Sequence, residues 1–546
     1  MNVIVGENNV GKSNLLRAIN FLRTLPIGPV PASWWPEGKA KGSLSASITL
    51  QLEPKELEAI ENALRRDPNY KIADSIQQYF GNNIEHKATW NHPDMAPEYE
   101  LSFKRILGKP TARINPSYGN TYLPTSEAPI FGGPIHSMLV HSLDESFINF
   151  PEFRQRPSTS ASEVLRSTEG SNVASVLFLL KNGDRQDQYR FRMIKHYFTL
   201  LFPTLRLEVR KPPQDQPRIV VEKRVTHHEL PLDWIGAGIA EMIIILTHIV
   251  AERHKVIVLD EPELHLHPHS QRLLRDFLRQ ASKLNQIIVV THSPQFVDPQ
   301  NTESIIVVRE ITARSHIRKL AKNFLTEAQE HKVSQNLLAQ EKEFLFSRSV
   351  LLVEGPTEYG AMSILAKRMK KGFDENGVSL VSVEGNYFGL MIRLLRGLGF
   401  SWSVMCDRDA VANISRGSIK VDGKEIKTSQ VFHSLHDAGL LSPSEISELH
   451  HAQSQITLSK KGKSSAETYP VAQVTTLSKI AAAHRFNVLP TDFEGLFSKE
   501  GQGQLLRRAQ EAYGRTKRLQ GIYLAQYVKT VPLELRRVIL QVTSSQ

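Results

Sequence analysis

Short apolar runs alternate with longer amphipathic segments along most of the chain, a pattern typical of strands followed by helices. Near the start, the pattern predicts a buried strand at 2–5, a helix at 14–25 and a strand at 43–52. A second block repeats this strand-and-helix pattern. Its predicted elements are helices at 236–251 and 270–283 and strands at 255–259, 286–290 and 304–308, and two further helices are predicted ahead of it at 170–180 and 188–202.

A third block begins at residue 350 and has the order strand, helix, strand, helix, strand. A βαβαβ order implies a parallel sheet with right-handed crossover connections. We therefore predict an α/β fold with a parallel sheet in this part of the chain. The predicted strands are 350–353, 379–383 and 404–406, and the predicted helices are 357–369 and 388–398.

Four other stretches carry weaker patterns. Residues 54–80 are charged and favour a helix, whereas residues from about 85 to 135 favour loops because Pro, Asn and Gly are frequent. Residues 310–345 are polar and predict a mostly helical connector. Residues 415–475 are polar and poorly periodic, so they indicate no particular element.

The composition narrows the class of protein. With 546 residues, the chain is long enough for two to four domains. The single cysteine, Cys406, excludes an internal disulfide framework and a zinc finger, and it fits a reducing compartment. The longest apolar run, 242–250, is too short to span a membrane, and no signal peptide is recognisable. We therefore expect a cytoplasmic protein with no membrane partner.

The loop after the first predicted strand has the spacing of a nucleotide-binding phosphate loop. Residues 6–13 read G-x-x-x-x-G-K-S between a predicted strand and a predicted helix. The glycines let backbone N–H groups point at phosphate oxygens, Lys12 would reach the β- and γ-phosphates, and the Ser13 hydroxyl would ligate Mg²⁺. We predict that the loop binds ATP. Its predicted binding residues are Gly6, Asn8, Asn9, Gly11, Lys12, Ser13 and Asn14.

Two later buried strands end in polar residues that suit ATP hydrolysis. One leads into Asp260 and Glu261, at the sheet edge where ligands bind in open α/β folds. Asp260 would complete the Mg²⁺ shell, and Glu261 would orient or deprotonate the attacking water. The next strand leads into Thr-His-Ser, and we predict that His292 senses the γ-phosphate.

A second acidic set lies in the third block. One predicted strand ends at Glu354, with Glu358 on the following helix, and another ends at Asp407 and Asp409. Residues i and i+2 of an extended chain point to the same side, and parallel packing would bring Glu354 beside them. Because like charges this close repel one another, we predict that these carboxylates hold Mg²⁺ or Mn²⁺.

The nucleotide motifs together resemble the ABC-type ATPase heads of DNA-maintenance proteins. In that family a signature loop from one subunit caps the ATP held by another, and residues 235–239 occupy its place here. The resemblance implies that Gly236 and Gly238 contact ATP, although Gly236 replaces the usual serine of the signature. Because a composite ATP site needs two heads, it also implies an even-numbered assembly, a homodimer or homotetramer.

The second acidic set resembles the Toprim domain, in which a Glu and a D-x-D pair bind Mg²⁺ for phosphodiester chemistry. An ABC-type head followed by Toprim resembles the OLD (overcoming lysogenization defect) nuclease family, and the EPELHLHP stretch at 261–268 is also typical of it. The resemblance implies a two-metal site with Asp492 and Glu494 as a further acidic pair. It also implies a lysine that stabilises transition-state charge, for which Lys517 is favoured over Lys529.

These motifs and resemblances predict the domain organisation. We expect an α/β chain in which an ABC-type ATPase head with an inserted helical lobe precedes a Toprim domain with a Rossmann-like parallel sheet. The absence of heptads excludes long coiled-coil arms, so the lobe would be compact. The predicted bounds are 1–325 for the head, about 54–230 for its inserted dimerisation lobe, 326–345 for a connector and 346–546 for the Toprim domain.

The family resemblance implies a function as well. It suggests an ATP-binding, metal-dependent DNA endonuclease in antiphage defence, which nicks or cuts both strands under ATP control; Gabija-type nuclease subunits belong to the same family. Residues 499–546 carry nine Lys or Arg against three Asp or Glu, within a formal net charge of +11, which suits a DNA partner. The alternative is an ATP-driven DNA-binding clamp or sensor without nuclease activity. Since family members act alone or with others, a co-encoded helicase-like or retron partner is a further expectation.

The chain starts inside the predicted strand that leads into the phosphate loop. ABC-type heads carry two antiparallel strands before this point, and these supply a contact to the adenine. The resemblance therefore implies a weaker hold on the base than on the phosphates, and an exposed edge of the sheet.

Overall fold

The computed structural model describes the larger part of the chain. The described residues are 1–8, 10–23, 44–51, 58, 62, 80–90, 98–105, 146–150, 172–212, 216–230, 234–298, 300–312, 314–336, 341–383, 388–414, 417–421, 424–458, 471–499 and 503–544.

Strands occur in every block that the sequence patterns predicted. They are β1 (Asn2–Val5), β2 (Leu44–Gln51), β3 (Phe80–Trp90), β4 (Glu98–Arg105), β5 (Phe147–Phe150), β6 (Leu205–Arg210), β7 (Arg218–Lys223), β8 (Glu229–Leu230), β9 (Val256–Asp260), β10 (Gln286–Val290), β11 (Ile305–Ile311), β12 (Arg314–Lys319), β13 (Ser349–Val353), β14 (Val378–Ser382), β15 (Ser401–Cys406), β16 (Gly417–Val421), β17 (Lys424–Thr428) and β18 (Phe486–Val488).

Helices separate most of these strands. They are α1 (Lys12–Arg23), α2 (Val173–Asn182), α3 (Arg185–Leu201), α4 (Ala237–Ala251), α5 (Pro268–Ala281), α6 (Glu327–Asn336), α7 (Pro356–Arg368), α8 (Phe388–Gly397), α9 (Arg408–Ala412), α10 (Gln430–Asp437), α11 (Pro443–Leu458), α12 (Val471–Ala483), α13 (Phe493–Lys499), α14 (Gly503–Tyr513), α15 (Lys517–Tyr527) and α16 (Leu533–Thr543), with short 3₁₀ turns at Pro294–Phe296, Thr302–Ser304, Glu341–Phe346 and Asp374–Asn376.

The chain divides into two compact units. The first comprises Met1–Lys12, Glu261–Asp276 and Val289–Gln546, and the second comprises Ser13–Asp260 and Phe277–Ile288. The acidic residues of the third block and most of the phosphate loop lie in the first unit.

Three strands of the first unit support the phosphate loop. β1 pairs in parallel with β11, with Val3 opposite Ile305, and β11 pairs with β12 in the antiparallel sense. The side chains of Val3, Ile4 and Val5 are buried, as expected of an apolar strand covered on both faces. The N–H of Thr291, directly after β10, donates to the carbonyl of Ile4 at 3.1 Å. The end of β10 therefore lies beside β1.

The first unit also contains a four-stranded sheet in the order β14, β13, β15, β18, whose strands are all parallel. β13 is buried along its whole length, and α7 and α8 form the crossovers to β14 and β15. The carboxyl ends of neighbouring parallel strands meet at one edge of a sheet, where α/β folds place their sites. Glu354 follows β13 there, and Asp407 and Asp409 follow β15.

The second unit combines helices with small sheets. β5 pairs in parallel with β9, whereas β6, β7 and β8 form one antiparallel sheet and β2, β3 and β4 another. α2, α3 and α4 pack together. α4 is apolar on every face, and its side chains from Met242 to Ile249 are buried. None of the helices in the described ranges is long and apolar enough to cross a bilayer.

Several sequence predictions need correction. The stretch predicted to favour loops contains β4 and most of β3, because polar residues interrupt the alternation and antiparallel pairing defines these strands instead. The stretch at 310–345, predicted to be a mostly helical connector, contains the strand β12 as well as the helix α6. The poorly periodic stretch contains the β16–β17 hairpin, α10 and α11. The lobe at about 54–230 holds strands as well as helices among its described residues, and the domain bounds stay predictions.

Candidate functional site

The phosphate loop follows β1 and curls against the neighbouring strand β11. Gly6 has a φ of 152°, and a Cβ there would lie 2.1 Å from the carbonyl oxygen of Val308. Only glycine fits this close approach, which brings the loop against the sheet. Gly11 also has a positive φ, of 100°. The two motif glycines are therefore required by the backbone itself.

Lys12 is buried within this loop. Its Nζ donates to the carbonyl of Gly6 at 2.9 Å and to that of Glu7 at 2.5 Å, and the side chain is only 5% exposed. The loop thus holds the ammonium group over its own backbone, which fits the anion that such loops bind. Asn8, Ser13 and Asn14 are exposed, and Asn9 lies outside the described residues.

The structure brings the side chains of Glu261 and His292 together. Glu261 Oε1 lies 3.3 Å from His292 Nε2. The Glu261 N–H donates to the Val290 carbonyl at 2.9 Å, and this residue adopts a left-handed φ of 44°, an uncommon conformation for glutamate. Asp260 ends β9 in the second unit and is partly buried.

Glu263 is a residue whose role sequence reasoning missed. Its Oε1 accepts hydrogen bonds from the Thr291 hydroxyl at 2.5 Å, the His292 N–H at 2.8 Å and the Ser293 N–H at 3.1 Å. Burial raises the pKa of this carboxyl, while its hydrogen bonds to Thr291 and the backbone act to lower it. Glu263 therefore fixes the turn that carries His292. In the sequence, Glu263 is the second acid of the EPELHLHP stretch, and this position was the one signal that could have indicated its role.

The signature-like segment leads into α4 of the second unit. Gly236 is the N-terminal cap residue of α4 and is exposed, and Gly238 is buried in its first turn. A Cβ at Gly236 would meet no atom within 4 Å, so the backbone has room for the serine that the signature normally carries. The replacement is therefore not a steric requirement of this chain.

The second predicted constellation forms a compact acidic centre at the edge of the parallel sheet. Glu354, Asp407 and Asp409 each offer a carboxylate oxygen, and these atoms lie within 4.8 Å of one another. The Asp407 N–H donates to Glu354 Oε2 at 3.3 Å. Asp407 Oδ1 is buried and accepts no hydrogen bond. An orphaned carboxylate oxygen beside two further carboxylates fits an oxygen-ligated divalent cation such as Mg²⁺ or Mn²⁺.

The electrostatics of this centre also favour a cation. Burial, together with the nearby carboxylates of Glu358, Glu354, Asp409 and Glu494, raises the pKa of Asp407 from 3.8 to about 9. Burial likewise raises the pKa of Glu358 to about 7. These shifts arise because several like charges share a poorly solvated site. A bound cation would remove the repulsion and allow the carboxylates to ionise.

The structure brings two of the three downstream residues, Glu494 and Lys517, close to the same centre. Lys517 Nζ donates to Glu494 Oε1 at 2.7 Å, and the Thr357 hydroxyl donates to the same oxygen at 3.2 Å. The hydrogen bond to Glu494 raises the pKa of Lys517. Asp492 is exposed and its Oδ1 accepts the Gly495 N–H at 2.9 Å, so it caps the N-terminus of α13. Lys529 follows the end of α15 instead.

Two glycines explain how α15 reaches the acidic centre. A Cβ at Gly521 would lie 2.0 Å from the Thr357 carbonyl oxygen, and one at Gly360 would lie 2.4 Å from the Arg518 carbonyl oxygen. The backbones of α7 and α15 thus touch where both helices lack a side chain. This contact sets Lys517, at the start of α15, beside Glu494. The sequence pattern gave no indication of this role for Gly521.

Two residues of the ATP site contact the segment that leads into β13. Arg348 Nε lies 3.0 Å from Glu7 Oε2. The rings of His292 and Phe346 stack, with centroids 6.3 Å apart. β13 begins at the next residue, Ser349, and ends just before Glu354. The phosphate loop and the acidic centre are thus joined through one short segment of the first unit.

The fold and these two sites define the class of the protein: an ATPase head joined to a TOPRIM domain. Residues 345–409 match the family model "Overcoming lysogenization defect protein-like, TOPRIM domain", and residues 146–298 match "AAA domain, putative AbiEii toxin, Type IV TA system". The predicted fold class and the predicted resemblance to the OLD family are confirmed by these matches.

Known proteins resemble parts of the chain. The OLD nuclease of Thermus scotoductus is 27% identical over 192 residues, which cover 33% of this chain and 36% of the relative. Endonuclease GajA of Bacillus cereus is 27% identical over 157 residues, which cover 28% of this chain and 26% of GajA. The matches span little more than a third of these relatives at most. The solved C-terminal region of the OLD protein of Xanthomonas campestris pv. campestris is 17% identical over 36% of this chain and 92% of that structure, with a TM-score of 0.25.

Proposed function

We propose that the chain is an ATP-binding, Mg²⁺- or Mn²⁺-dependent DNA endonuclease that nicks or cuts both strands under ATP control. The observation that carries the proposal is the acidic centre of Glu354, Asp407 and Asp409, with Lys517 held at Glu494 beside it. The match to an OLD-like TOPRIM model and the nuclease names of the relatives support the same reading.

The residues of the acidic centre would have separate roles in cation binding and in stabilising the charge of the phosphate. Glu354, Asp407 and Asp409 would hold a divalent cation, which supplies charge neutralisation at a phosphate and an activated water. Lys517 would place its ammonium group against the phosphate oxygens as negative charge develops there. A second cation would be held by Glu358, Asp492 and Glu494.

The ATP site would work through its own residues. Lys12 would exchange its loop carbonyls for phosphate oxygens, and Ser13 with Asp260 would hold Mg²⁺. Glu261 would orient or deprotonate the attacking water, and His292, in contact with Glu261, would sense the γ-phosphate. The remaining nucleotide contacts would come from Gly6, Asn8, Asn9, Gly11 and Asn14, and from Gly236 and Gly238 of a second copy.

The proposed ATP control has a structural route. Nucleotide binding would act on Glu7 and His292, which contact Arg348 and Phe346 ahead of β13. Because β13 positions Glu354, a shift of this segment would change the spacing of the acidic centre. The route supports regulation of DNA cutting by ATP rather than two independent activities.

The biological setting follows from the same reading. The substrate would be DNA, the assembly a homodimer or homotetramer, and the place of action the cytoplasm. A role in antiphage defence, with or without a co-encoded helicase-like or retron partner, would fit the resemblance to GajA.

A plasmid assay tests the function. Supercoiled DNA is incubated with the protein and Mg²⁺ or Mn²⁺, with and without ATP, for wild type, Asp407→Asn and the exposed-surface control Asp276→Asn. Loss of a direct cation ligand should slow cutting by more than about a hundredfold, since outer-shell changes alone cost 10- to 100-fold. Cutting by Asp407→Asn at the wild-type rate would contradict the site.

A clamp or sensor without nuclease activity is the second candidate. One observation favours it: Gly236 stands where the signature serine would be, which suits slow ATP turnover. Wild-type protein that binds DNA in an ATP-dependent way but cuts no plasmid with either metal would establish this candidate over the first.

A further inference from the structure

Three tyrosines form a cluster on α14 and α15, and α15 begins at Lys517 beside Glu494. The Tyr513 and Tyr523 ring centroids are 5.9 Å apart, and those of Tyr523 and Tyr527 are 4.6 Å apart. Tyr523 packs against the buried core of the TOPRIM sheet, whereas Tyr513 is 38% and Tyr527 is 61% exposed. The cluster is therefore anchored by its middle ring and opens to solvent on both sides.

The segment that carries this cluster is strongly basic. Between residues 503 and 530 there are six Lys or Arg and a single acid, Glu511. All seven side chains are exposed. An exposed aromatic surface among cations favours a polyanion with flat rings over an apolar protein surface, because a protein partner would have to bury the charges. The six cations are Arg507, Arg508, Arg515, Lys517, Arg518 and Lys529.

The cluster lies within a short distance of the acidic centre. α15 begins at Lys517, whose Nζ contacts Glu494. With a rise of about 1.5 Å per residue, Tyr523 is about 9 Å and Tyr527 about 15 Å further along the helix. A strand held at the acidic centre by a phosphate could therefore reach the rings with bases a few positions away.

We propose that Tyr513, Tyr523 and Tyr527, with the cations around them, form a stacking platform for unpaired bases of the DNA strand that enters the acidic centre. The inference rests on the proposed function and extends it to the form of the substrate. Stacking needs bases freed from pairing, so the platform selects DNA with a single-stranded or frayed segment over fully paired duplex. Phosphates would contact the cations, and the rings would contact base faces whatever the sequence.

Binding measurements without cleavage test the platform. Anisotropy of a fluorescein-labelled mixed-sequence oligonucleotide, single-stranded or annealed to its complement, is measured in EDTA for wild type, Tyr513→Ala, Tyr527→Ala and Tyr527→Phe. Tyr189→Ala is the matched control, since Tyr189 lies on α3 outside the cluster and its exposure of 53% falls between those of Tyr513 and Tyr527. Tyr523 is left intact because it packs in the core. Thermal unfolding confirms that each variant folds.

Each alanine variant should bind single strands about tenfold more weakly, since one base stack is worth roughly 1–3 kcal/mol. Duplex affinity should change less than about twofold, and Tyr527→Phe and Tyr189→Ala should match wild type. Equal losses for single strand and duplex, or a loss in Tyr527→Phe as large as in Tyr527→Ala, would overturn the platform. Unchanged single-strand binding in a protein that still cuts plasmid would overturn the platform alone. A wild type that neither binds nor cuts DNA would overturn the proposed function with it.

Discussion

The phosphate loop and the acidic centre differ in how the charges of their side chains are compensated. In the loop, the charge of Lys12 is met by the protein itself, since its ammonium group donates to two carbonyls of its own loop. In the acidic centre, Glu354, Asp407 and Asp409 crowd together and an oxygen of Asp407 accepts no hydrogen bond. The first site is formed by the chain alone, whereas the second needs a cation to be electrostatically complete.

The strongest test of this comparison is to disrupt each site with one substitution and to measure the function of both sites. Lys12→Ala should weaken binding of ATP by about 10- to 100-fold, because charge-assisted hydrogen bonds contribute about 1.5–3 kcal/mol each. It should leave Mn²⁺ binding and ATP-free DNA cutting at wild-type levels. Asp407→Asn should do the reverse and lose Mn²⁺ binding and cutting. Calorimetric titration with Mn²⁺ and a slowly hydrolysed ATP analogue measures both, and a variant that impairs both sites equally would contradict their separate formation.

Variants of Glu263 test whether its hydrogen bonds position the turn that carries His292 in the ATP site. Glu263→Ala should lower ATP turnover about tenfold or more with little change in ATP affinity, because it removes the acceptor of the Thr291 hydroxyl and of the His292 N–H at about 1–3 kcal/mol per group. Glu263→Gln keeps one acceptor oxygen and should restore most of the turnover. Steady-state kcat and KM for ATP separate these effects, with the exposed Glu310→Ala as control. If Glu263→Gln behaves like the alanine variant, the positioning role is wrong.

Gly521 tests how the acidic centre acquires its lysine. A methyl group at this position would clash with the Thr357 carbonyl, so Gly521→Ala should destabilise the fold by about 1–3 kcal/mol and move Lys517 from Glu494. DNA cutting should fall while ATP binding stays unchanged. Gly503→Ala, where an added Cβ meets no atom within 4 Å, is the matched control. Thermal unfolding and the plasmid assay measure both effects, and equal behaviour of the two variants would contradict the close helix contact.

The pH dependence of the stability should reveal the uncompensated negative charge of the acidic centre. The folded protein binds the Asp407 proton more tightly than the unfolded chain, since burial and neighbouring carboxylates raise its pKa from 3.8 to about 9. The metal-free fold should therefore lose stability as pH rises through this window, and Mg²⁺ or Mn²⁺ should restore more stability at pH 8 than at pH 6. Melting curves with and without metal measure a shift of a few degrees. Asp407→Asn should flatten the dependence and Asp276→Asn should not.

The smallest effect should come from the link between the two sites. The Arg348 side chain is 61% exposed, and a surface ion pair contributes at most about 1 kcal/mol, so Arg348→Ala should reduce the ATP effect on cutting by no more than about fivefold. Cutting without ATP should stay the same. The exposed Lys322→Ala is the control, and an unchanged ATP response would exclude this route.

Much of both sites could be predicted because the residues of each motif are close in sequence. The loop at 6–13, the acids at 260–261 and the D-x-D at 407–409 each follow a buried strand, so the strand pattern alone places them at the edge of a sheet. The expected extended geometry of the D-x-D is wrong, because Asp407 caps helix α9 and Asp409 lies in its first turn. The fold class followed from the same strand and helix order. Strands β3 and β4 escaped prediction because antiparallel pairing, of β3 with β2 and of β4 with β3, defines them rather than an apolar pattern.

The sequence by itself determined the chemistry of this protein: a phosphate loop with its lysine, carboxylates at the ends of buried strands and an α/β framework to carry them. Tertiary structure decided which distant groups complete each site. Glu263 reaches Thr291, Lys517 reaches Glu494 through the Gly521 contact, and Arg348 reaches Glu7. Those partnerships depend on how helices and strands far apart in the chain pack, and no local spacing encodes such a distance.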